Sequence, residues 1–590
     1  MSTTSGSVGE ALRRLDASAP APRASQPARL ASGGLIERAR SLSFSFDGRK
    51  LFGHPGDTLA SALIANGVKL VGRSFKYHRP RGILSAGPEE PSALVELRSG
   101  ARREPNTRAT AIELFDDLEA ASQNRWPSLA FDLMAAGSVF SPFLAAGFYY
   151  KTFMWPAAFW EKVYEPMIRR AAGLGRAPEG VDPDHYEKAF AFCDVLVIGS
   201  GPAGLMAALS AARSGARVIL CEEDFRLGGR LLSERGMVAG ETAPDFVRRI
   251  EAELRSFPDV RVMTRTTLFG TYDHGTYGAL ERVNDHLALP PAFEPRQRAW
   301  RIVAKRCVLT AGAIERPLVF GNNDRPGVML AGGVRTYLNR FAARPGRCAV
   351  VFANNDDAAG VVADLHAAGV TVAALVDPRP ETAPSIAALA ESTGARLIAG
   401  GVVTRAIGGH AVRAVDIREA NGRTSRVACD LVAMSGGFSP NVHLATHLGG
   451  RPVWDDTIAG FVPGDTPRAM TVAGAARGTY DLARCFAEGA KAGAQAADAA
   501  GFQTRPAAAP QVDPQSAAMT PLWRVRGHKA KAFIDFQNDV TDKDVELAER
   551  EGFRSVEHLK RYTTLGMATD QGKTANVNGL AVMAEITERS

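Results

Sequence analysis

Three glycines between positions 199 and 204 have the spacing of a dinucleotide-binding loop. Gly199, Gly201 and Gly204 follow the apolar run Val195–Ile198 in a G-x-G-x-x-G pattern. Such glycines allow a tight turn, a close approach of the backbone to a pyrophosphate and close packing of the following helix on the strand. The helix that begins there would direct free N–H groups and the positive end of its dipole at the phosphates.

The strand that follows this helix leads to an acidic residue. Val218–Leu220 is a short apolar run, and Glu222 comes two residues after it. A carboxylate there hydrogen-bonds an adenosine ribose 2′-hydroxyl and repels a 2′-phosphate, so the sequence favours NAD or FAD over NADP. Glycine-rich turns are common, and the full order of strand, loop, helix, strand and acid is therefore the specific signal.

Two later strand ends carry small residues and are expected to support the same site. Gly312 follows the strand that begins at Val308, and Thr471–Ala475 reads TVAGA, with Gly474 and Ala475 at its end. Small residues at strand ends let a ligand or a neighbouring backbone approach closely.

A second strand–helix–strand unit begins at Cys348, but its first turn differs. Residues Ala353–Asp357 read ANNDD, and no glycine occurs before Gly360. Two acidic side chains in this turn would repel a pyrophosphate. We therefore expect the second nucleotide site to be empty or altered.

Charge and composition argue against nucleic acid as a partner. The formal net charge is +7 for 590 residues. The first 40 residues hold six Arg against Glu10, Asp16 and Glu37, which gives +3 of that total. The remaining charge is spread along the chain, without the Lys/Arg block that follows a phosphate backbone.

The cysteines and the apolar stretches point to a cytoplasmic protein without a membrane span. The six cysteines are scattered and form no C-x-x-C pair, which fits a reducing compartment. Leu133–Tyr150 carries no charge, but its two Gly, two Ser and Pro142 leave its hydrophobicity below that of a typical span. With the aromatic run that follows, it is more typical of a buried or subunit-facing connector.

The pattern of elements predicts a multidomain α/β fold with a core of two Rossmann-like dinucleotide-binding units. A β-grasp module is indicated by an alternating strand, an Asp47-Gly48 turn, a second strand and a helix capped at Thr58. Five regions follow along the chain: a disordered tail (1–34), a β-grasp ferredoxin-like module (35–120), an aromatic connector (121–190), a dinucleotide-binding domain (191–510, with the second unit at about 345–435) and a helical module (515–590).

Five motifs along the chain are specific enough to identify relatives: GRSFKYHRPRGILSAGPEEP (Gly72–Pro91), NRWPSLAFD (Asn124–Asp132), VIGSGPAG, TAGAIERP (Thr310–Pro317) and RYTTLGMATDQGKTANVNGLA (Arg561–Ala581). With these motifs, the chain from Gly34 onward strongly resembles the alpha subunits of heterotetrameric sarcosine oxidases, and more distantly subunits of hydrogen cyanide synthase and dye-linked proline dehydrogenase.

Two modules of the resemblance lack the ligands of an iron–sulfur cluster. In cluster-bearing relatives, thiolates follow an RPRG-like stretch, whereas ILSAGPEEPSALVEL follows it here without a cysteine. In the C-terminal module, the positions of the expected ligands hold Asp535, Gln537, Asp570 and Ala575. Clusters need thiolates, so both modules are expected to be metal-free scaffolds.

A third departure concerns the flavin site, and together with the resemblance it favours bound NAD. Flavoproteins of this type usually carry Asp where Ala475 stands, and that Asp binds near the flavin's ribityl and pyrophosphate groups. The resemblance implies a tightly bound NAD⁺ in this chain, with FAD and FMN carried mainly by the beta subunit. It places the NAD contacts at the loop and at the ribose, with one further arginine near a phosphate: Gly199, Gly201, Ala203, Gly204, Glu222, Glu223 and Arg230.

The resemblance further implies a largely non-catalytic subunit of an oxidase that demethylates sarcosine or a related N-methyl amine, with beta, gamma and delta subunits as partners. Longer relatives continue into a folate-binding half, so we expect this chain to be a truncated or split subunit that ends at Ser590 without the tetrahydrofolate site. No residue is assigned a catalytic or metal-binding role. The alternative is a self-sufficient FAD-dependent NAD(P)H oxidoreductase, in which FAD occupies the glycine loop.

Overall fold

The computed structural model describes residues 26–136, 144–148, 151, 153–171 and 173–589. These residues form three large sheets: one in the N-terminal module and one in each Rossmann-like unit. Among the helices of this described part, none is long and apolar enough to cross a membrane. Part of the uncharged stretch considered above, residues 137–143 and 149–150, lies outside the described residues.

The N-terminal module is a five-stranded mixed sheet with one helix packed against it. Its first two strands pair through the predicted Asp47-Gly48 turn, where both residues have positive φ. The helix Leu59–Ala65 begins at Thr58, which forms a capping box with Ser61. In sheet order the strands are Arg49–Gly53, Leu42–Phe46, Leu118–Ser122, Leu94–Leu97 and Glu104–Arg108, with a separate hairpin Gly72–Arg73/Pro80–Arg81 and a 3₁₀ turn at Gly100–Arg102.

The predicted disordered tail is too long at its C-terminal end. Residues 26–34 pack on the protein: Gln26 is buried, and Arg29 pairs with Asp57 at 2.6 Å and donates a hydrogen bond to the carbonyl of Phe341. The prediction failed because it relied on composition, and a buried carboxylate at Asp57 supplies the partner that orders this segment. The rest of the predicted tail lies outside the described residues.

The first Rossmann-like unit holds a seven-stranded sheet, in which a parallel part continues into an antiparallel meander. The strand before the glycine loop is longer than predicted and runs from Tyr186 to Ile198. The strands in order are Val260–Met263, Val218–Cys221, Tyr186–Ile198, Gln297–Leu309, Thr276–Glu281 and Thr266–Tyr272, with Met470–Val472 also pairing with Gln297–Leu309. The helices are Pro202–Ala212, Ala243–Ser256 and Leu482–Ala499, with 3₁₀ turns at Gly229–Leu232, Asp273–Gly275 and Gly474–Arg477 and a hairpin Met237–Val238/Glu241–Thr242.

The second unit holds a five-stranded parallel sheet and begins earlier than predicted, because Val328–Leu330 forms its edge strand. The strands in order are Val328–Leu330, Leu431–Ser435, Cys348–Ala353, Thr371–Asp377 and Arg396–Ala399, with helices Ala331–Asn339, Ala358–Ala367 and Pro384–Thr393. An antiparallel sheet of Val402–Gly408, Val412–Arg418 and Thr424–Ala428 covers it. The pair Ala313–Glu315/Phe438–Pro440 joins the two units, and the short helix His443–Thr446 and the hairpin Pro452–Asp455/Gly460–Pro463 follow it.

The connector exposes aromatic side chains instead of burying them. Trp126, Phe131 and Trp155 are 59%, 65% and 83% exposed. Its regular elements are Ala157–Phe159, the π-helical turn Trp160–Tyr164 and the helix Glu165–Ala171. Within the described residues, the connector is therefore a surface segment of this chain.

The C-terminal module packs three helices on a small hairpin. The hairpin strands are Phe533–Asp535 and Val540–Thr541. The helices are Asp542–Arg550, Val556–Thr563 and Asn576–Thr587, and the first begins where Thr541 and Asp544 form a capping box.

Candidate functional site

The glycine loop adopts the geometry that its spacing predicts. Gly199 has φ +92°, a conformation that favours glycine, and its N–H donates to the carbonyl of Cys221 at 2.8 Å. A Cβ on Gly204 would lie 1.8 Å from the Gly199 carbonyl oxygen, whereas one on Gly201 would meet nothing within 4 Å. Gly204 therefore permits close helix–strand packing, and Gly201 leaves the loop open toward a ligand.

The carboxylate of Glu222 lies at the end of the second strand, as predicted, and turns back to the loop. One oxygen accepts from the backbone N–H and the hydroxyl of Ser200 at 2.8 and 2.6 Å, and the other accepts from the N–H of Asp224 at 2.9 Å. Burial raises the pKa of Glu222 to about 7 although these hydrogen bonds oppose the shift. The loop and the acid thus form one hydrogen-bonded unit.

Close packing of two helices places the TVAGA turn beside the loop. A Cβ on Gly489 or Gly493 would lie 2.1 Å from the carbonyl oxygen of Ala203 or Ala207, so the helix Leu482–Ala499 touches the backbone of the loop helix. A Cβ on Gly474 would lie 2.8 Å from the Cβ of Ala203. These small residues bring Gly474 and Ala475 to the edge of the nucleotide loop.

The predicted site residues converge on one cleft of about 360 Å³. Gly204 and Gly474 do not line this cleft but support its wall. Eight predicted residues line it: Gly199, Gly201, Ala203, Glu222, Glu223, Arg230, Gly312 and Ala475.

Arg230 lies at the cleft, but its guanidinium is held by protein carboxylates. It forms ion pairs with Glu234 and with Asp357, which belongs to the first turn of the second unit. Arg335 joins the same network through Glu234 at 3.0 Å and Asp364 at 2.7 Å. The network connects the first unit to the turn of the second, a role that the sequence did not indicate.

Lys573 and His443 also line the cleft and were missed by the sequence analysis. Burial, the positive charge of Lys573 and the neighbouring His447 lower the pKa of His443 to about 4. Lys573 comes from the C-terminal module, more than 350 residues after the loop. No periodicity or motif spacing connects positions that far apart, so only the tertiary fold could reveal them.

The turn of the second unit is filled by the chain itself. Arg379 pairs with Asp356 at 2.8 Å and with Asp377 at 2.7 Å. Ser516 donates to Asp356 at 2.5 Å, and the N–H of Asp356 donates to the carbonyl of Ala518 at 3.0 Å. The segment around residues 516–520 therefore lies where a nucleotide phosphate would approach this turn.

In the β-grasp module, a carboxylate organises the loop in which relatives carry thiolates. Both oxygens of the fully buried Glu90 accept backbone N–H groups, from Leu84 (2.9 Å) and Ser85 (2.6 Å) on one and from Ser92 (2.8 Å) and Ala93 (2.9 Å) on the other. Residues 39–125 contain no cysteine. The residues present do not fit a [2Fe–2S] cluster, which needs thiolate ligands.

In the C-terminal module, the four positions named above likewise carry no thiolate. The buried Asp535 accepts from the N–H groups of Asn538 and Gly566, each at 2.8 Å. Gln537 accepts from the N–H of Asp570 at 3.3 Å, and Asp570 accepts from the N–H of Gly572 at 3.2 Å. Burial and the neighbouring Asp570 raise the pKa of Asp535 to about 6.

Three sequence families match consecutive parts of the chain. Residues 39–125 match a 2Fe–2S iron–sulfur cluster binding domain, and residues 194–286 match an FAD dependent oxidoreductase family. Residues 529–590 match the sarcosine oxidase A3 domain. The chain is also 54% identical over 560 residues to the sarcosine oxidase subunit alpha of Rhizobium meliloti strain 1021.

Over nearly its whole length the chain is similar to sarcosine oxidase alpha subunits. A second such subunit, from Corynebacterium sp. strain P-1, is 38% identical over 580 residues. The two matches cover 94% and 95% of this chain but only 56% and 55% of the relatives. The chain thus spans about half the length of the alpha subunits that it matches.

The chain shares its overall fold with a solved dehydrogenase. The L-proline dehydrogenase of P. horikoshii superposes with a TM-score of 0.67 and 20% sequence identity, covering 96% of this chain and 95% of that chain. This likeness confirms the predicted resemblance in fold.

Proposed function

We propose that this chain is the NAD-binding, largely non-catalytic alpha subunit of a heterotetrameric sarcosine oxidase. The complex would convert sarcosine, O₂ and water to glycine, formaldehyde and H₂O₂. Where a folate site is present, the one-carbon unit would leave as 5,10-methylenetetrahydrofolate. Related N-methyl amines are compatible with the same proposal. Beta, gamma and delta subunits would be the partners, and FAD and FMN would be held mainly by the beta subunit.

The observation that carries the NAD assignment is the pairing of an intact adenosine-binding loop with Ala475. Gly199, Gly201 and Glu222 surround the end of the cleft that suits an ADP moiety. Ala475 lines the same cleft with a methyl group, which cannot hydrogen-bond a flavin's ribityl chain. The side chain of Ala475 therefore favours NAD over FAD as the dinucleotide that this cleft holds.

The residues of the cleft bind and orient rather than transfer protons. Gly199 and Gly201 would present backbone to the pyrophosphate, and Glu222, already fixed by Ser200, would accept a hydrogen bond from a ribose hydroxyl. NAD⁺ is a hydride acceptor by its own chemistry. His443 has a pKa lowered to about 4, which makes it a weak base near neutral pH.

The second candidate function, a self-sufficient flavin reductase, is favoured by the match to an FAD dependent oxidoreductase family. It would place FAD at Gly199–Gly204 and NAD(P)H at the turn of the second unit. Asp356 and its contacts with Arg379 and Ser516 argue against this arrangement, because they fill that turn.

The experiment that separates the two candidates is to purify this chain alone and examine what it carries. The visible spectrum is recorded, and any nucleotide released by heat is identified and quantified by mass spectrometry. A colourless protein that releases about one NAD⁺ per chain supports the scaffold subunit. A yellow protein that releases FAD and is bleached by NADH refutes it and assigns the chain as a reductase.

A further inference from the structure

Lys573 brings an unpaired positive charge from the C-terminal module into the nucleotide cleft. It lies in the loop between the helices Val556–Thr563 and Asn576–Thr587, and it lines the same cleft as Gly201 and Glu222. Its side chain is exposed, and no ion pair among the described residues uses its ammonium group. A free ammonium on the wall of a cleft is available to a ligand.

Lys573 shares the cleft with Glu222, Glu223 and His443. Its charge acts on Glu223, the residue after the predicted ribose acceptor, and on His443. Thr266 also lines the cleft, and its N–H donates to the carbonyl of Glu222 at 2.8 Å. Burial raises the pKa of Glu223, while Lys573 and Arg282 oppose that shift.

The loop that carries Lys573 is held in place by hydrogen bonds. The N–H groups of Gly572 and Lys573 donate to Asp570, to its carboxylate and its carbonyl respectively, each at 3.2 Å. Asp535 accepts the N–H of Gly566 at 2.8 Å, at the start of the same loop. Two carboxylates, Asp535 and Asp570, thus fix the backbone that presents the lysine.

We propose that Lys573 is a cofactor-binding residue that contacts the adenosine end of the bound dinucleotide and couples its retention to the C-terminal module. The proposal deepens the proposed function and rests on it, because it needs an adenine dinucleotide in the cleft. The ammonium donates to ribose hydroxyl oxygens and offsets the two carboxylates, Glu222 and Glu223, that crowd this end. The C-terminal module therefore forms part of the nucleotide site.

The test compares the purified full-length chain with Lys573→Met and with Lys543→Met as the matched control. Lys543 is an exposed lysine of the same module on the helix Asp542–Arg550, and it does not line the cleft. Each protein is loaded with NAD⁺ and dialysed, and the nucleotide that remains is quantified by mass spectrometry over time. We expect NAD⁺ to leave Lys573→Met at least tenfold faster, while Lys573→Arg and Lys543→Met retain it like the unaltered chain.

Equal retention by Lys573→Met and the unaltered chain overturns the role of Lys573 and leaves the proposed function standing. If the unaltered chain itself binds no NAD⁺, both proposals fail together. Should Lys573→Met not fold, hydrogen exchange of residues 566–575 in the unaltered chain supplies the answer. Protection of this loop on adding NAD⁺ supports the proposal, and unchanged exchange overturns it.

Discussion

A paired substitution in the glycine loop separates its packing role from its binding role. In Gly204→Ala, the new Cβ would lie 1.8 Å from the carbonyl oxygen of Gly199 and 2.8 Å from the hydroxyl of Thr310. In Gly201→Ala, the Cβ would meet nothing within 4 Å, and the φ of −65° suits alanine. Gly204→Ala should destabilise the fold, whereas Gly201→Ala should weaken only the binding of the dinucleotide.

The magnitudes follow from the atoms that are met. Overpacking costs about 1–3 kcal/mol, and the upper end applies to Gly204 because a backbone oxygen cannot rotate away. Alanine is about 1 kcal/mol more favourable than glycine at a helical position. The net loss of unfolding free energy for Gly204→Ala is therefore about 2 kcal/mol. At about 2–4 °C per kcal/mol for a domain of this size, the melting temperature should fall by about 4–8 °C. For Gly201→Ala the loss should stay within about 0.5 kcal/mol.

The assay measures the melting temperature of each nucleotide-free protein and its affinity for NAD⁺. Gly201→Ala should melt like the unaltered chain but bind at least about tenfold more weakly, because its methyl group occupies the space that a pyrophosphate needs. Unchanged melting of Gly204→Ala, or unchanged NAD⁺ affinity of Gly201→Ala, would refute the assignment of these two glycines.

Three further outcomes test the electrostatics of the fold. Burial raises the pKa of Glu222 to about 7, so the folded state binds this proton more tightly than the unfolded state does. The stability of the nucleotide-free chain should therefore fall from pH 5 to pH 8, and Glu222→Gln should reduce that fall in melting experiments. Arg335→Met leaves Glu234 and Asp364 without their shared partner and should cost about 3–5 kcal/mol, measured by urea unfolding; a loss below about 1 kcal/mol would contradict a buried network. Glu90→Ala removes the acceptor of four backbone N–H groups and should cost several times the ~1 kcal/mol of an ordinary hydrogen bond, whereas a near-neutral result would show that water replaces the carboxylate.

Many elements could be predicted because their signals are local. Alternation, turn residues and caps depend on neighbours within a few positions, and they indicated the hairpin at Asp47 and the helix start at Thr58. The glycine spacing and Glu222 identified the cleft for the same reason. Element ends were less accurate, as the early start of the strand at Tyr186 shows.

The interactions that cross between modules could not be predicted. Lys573 reaches the cleft from the far end of the chain, and Arg230 pairs with Asp357 of the second unit. Such contacts depend on how the modules pack, which no spacing in the sequence encodes. The order of residues 26–34 was missed for a related reason, since composition does not reveal the carboxylate of Asp57 that Arg29 meets.

The filled turn of the second unit has an evolutionary consequence. Asp356 is held at once by Arg379, by Ser516 and by the backbone of Ala518. Removing any one of these contacts would leave the others in place, so no single substitution would expose a phosphate-binding surface. Each intermediate would also carry a buried group without its partner and a loss of stability. A lineage that has filled this turn would have to cross several destabilised sequences to regain a phosphate-binding surface there, and this favours the persistence of the filled turn.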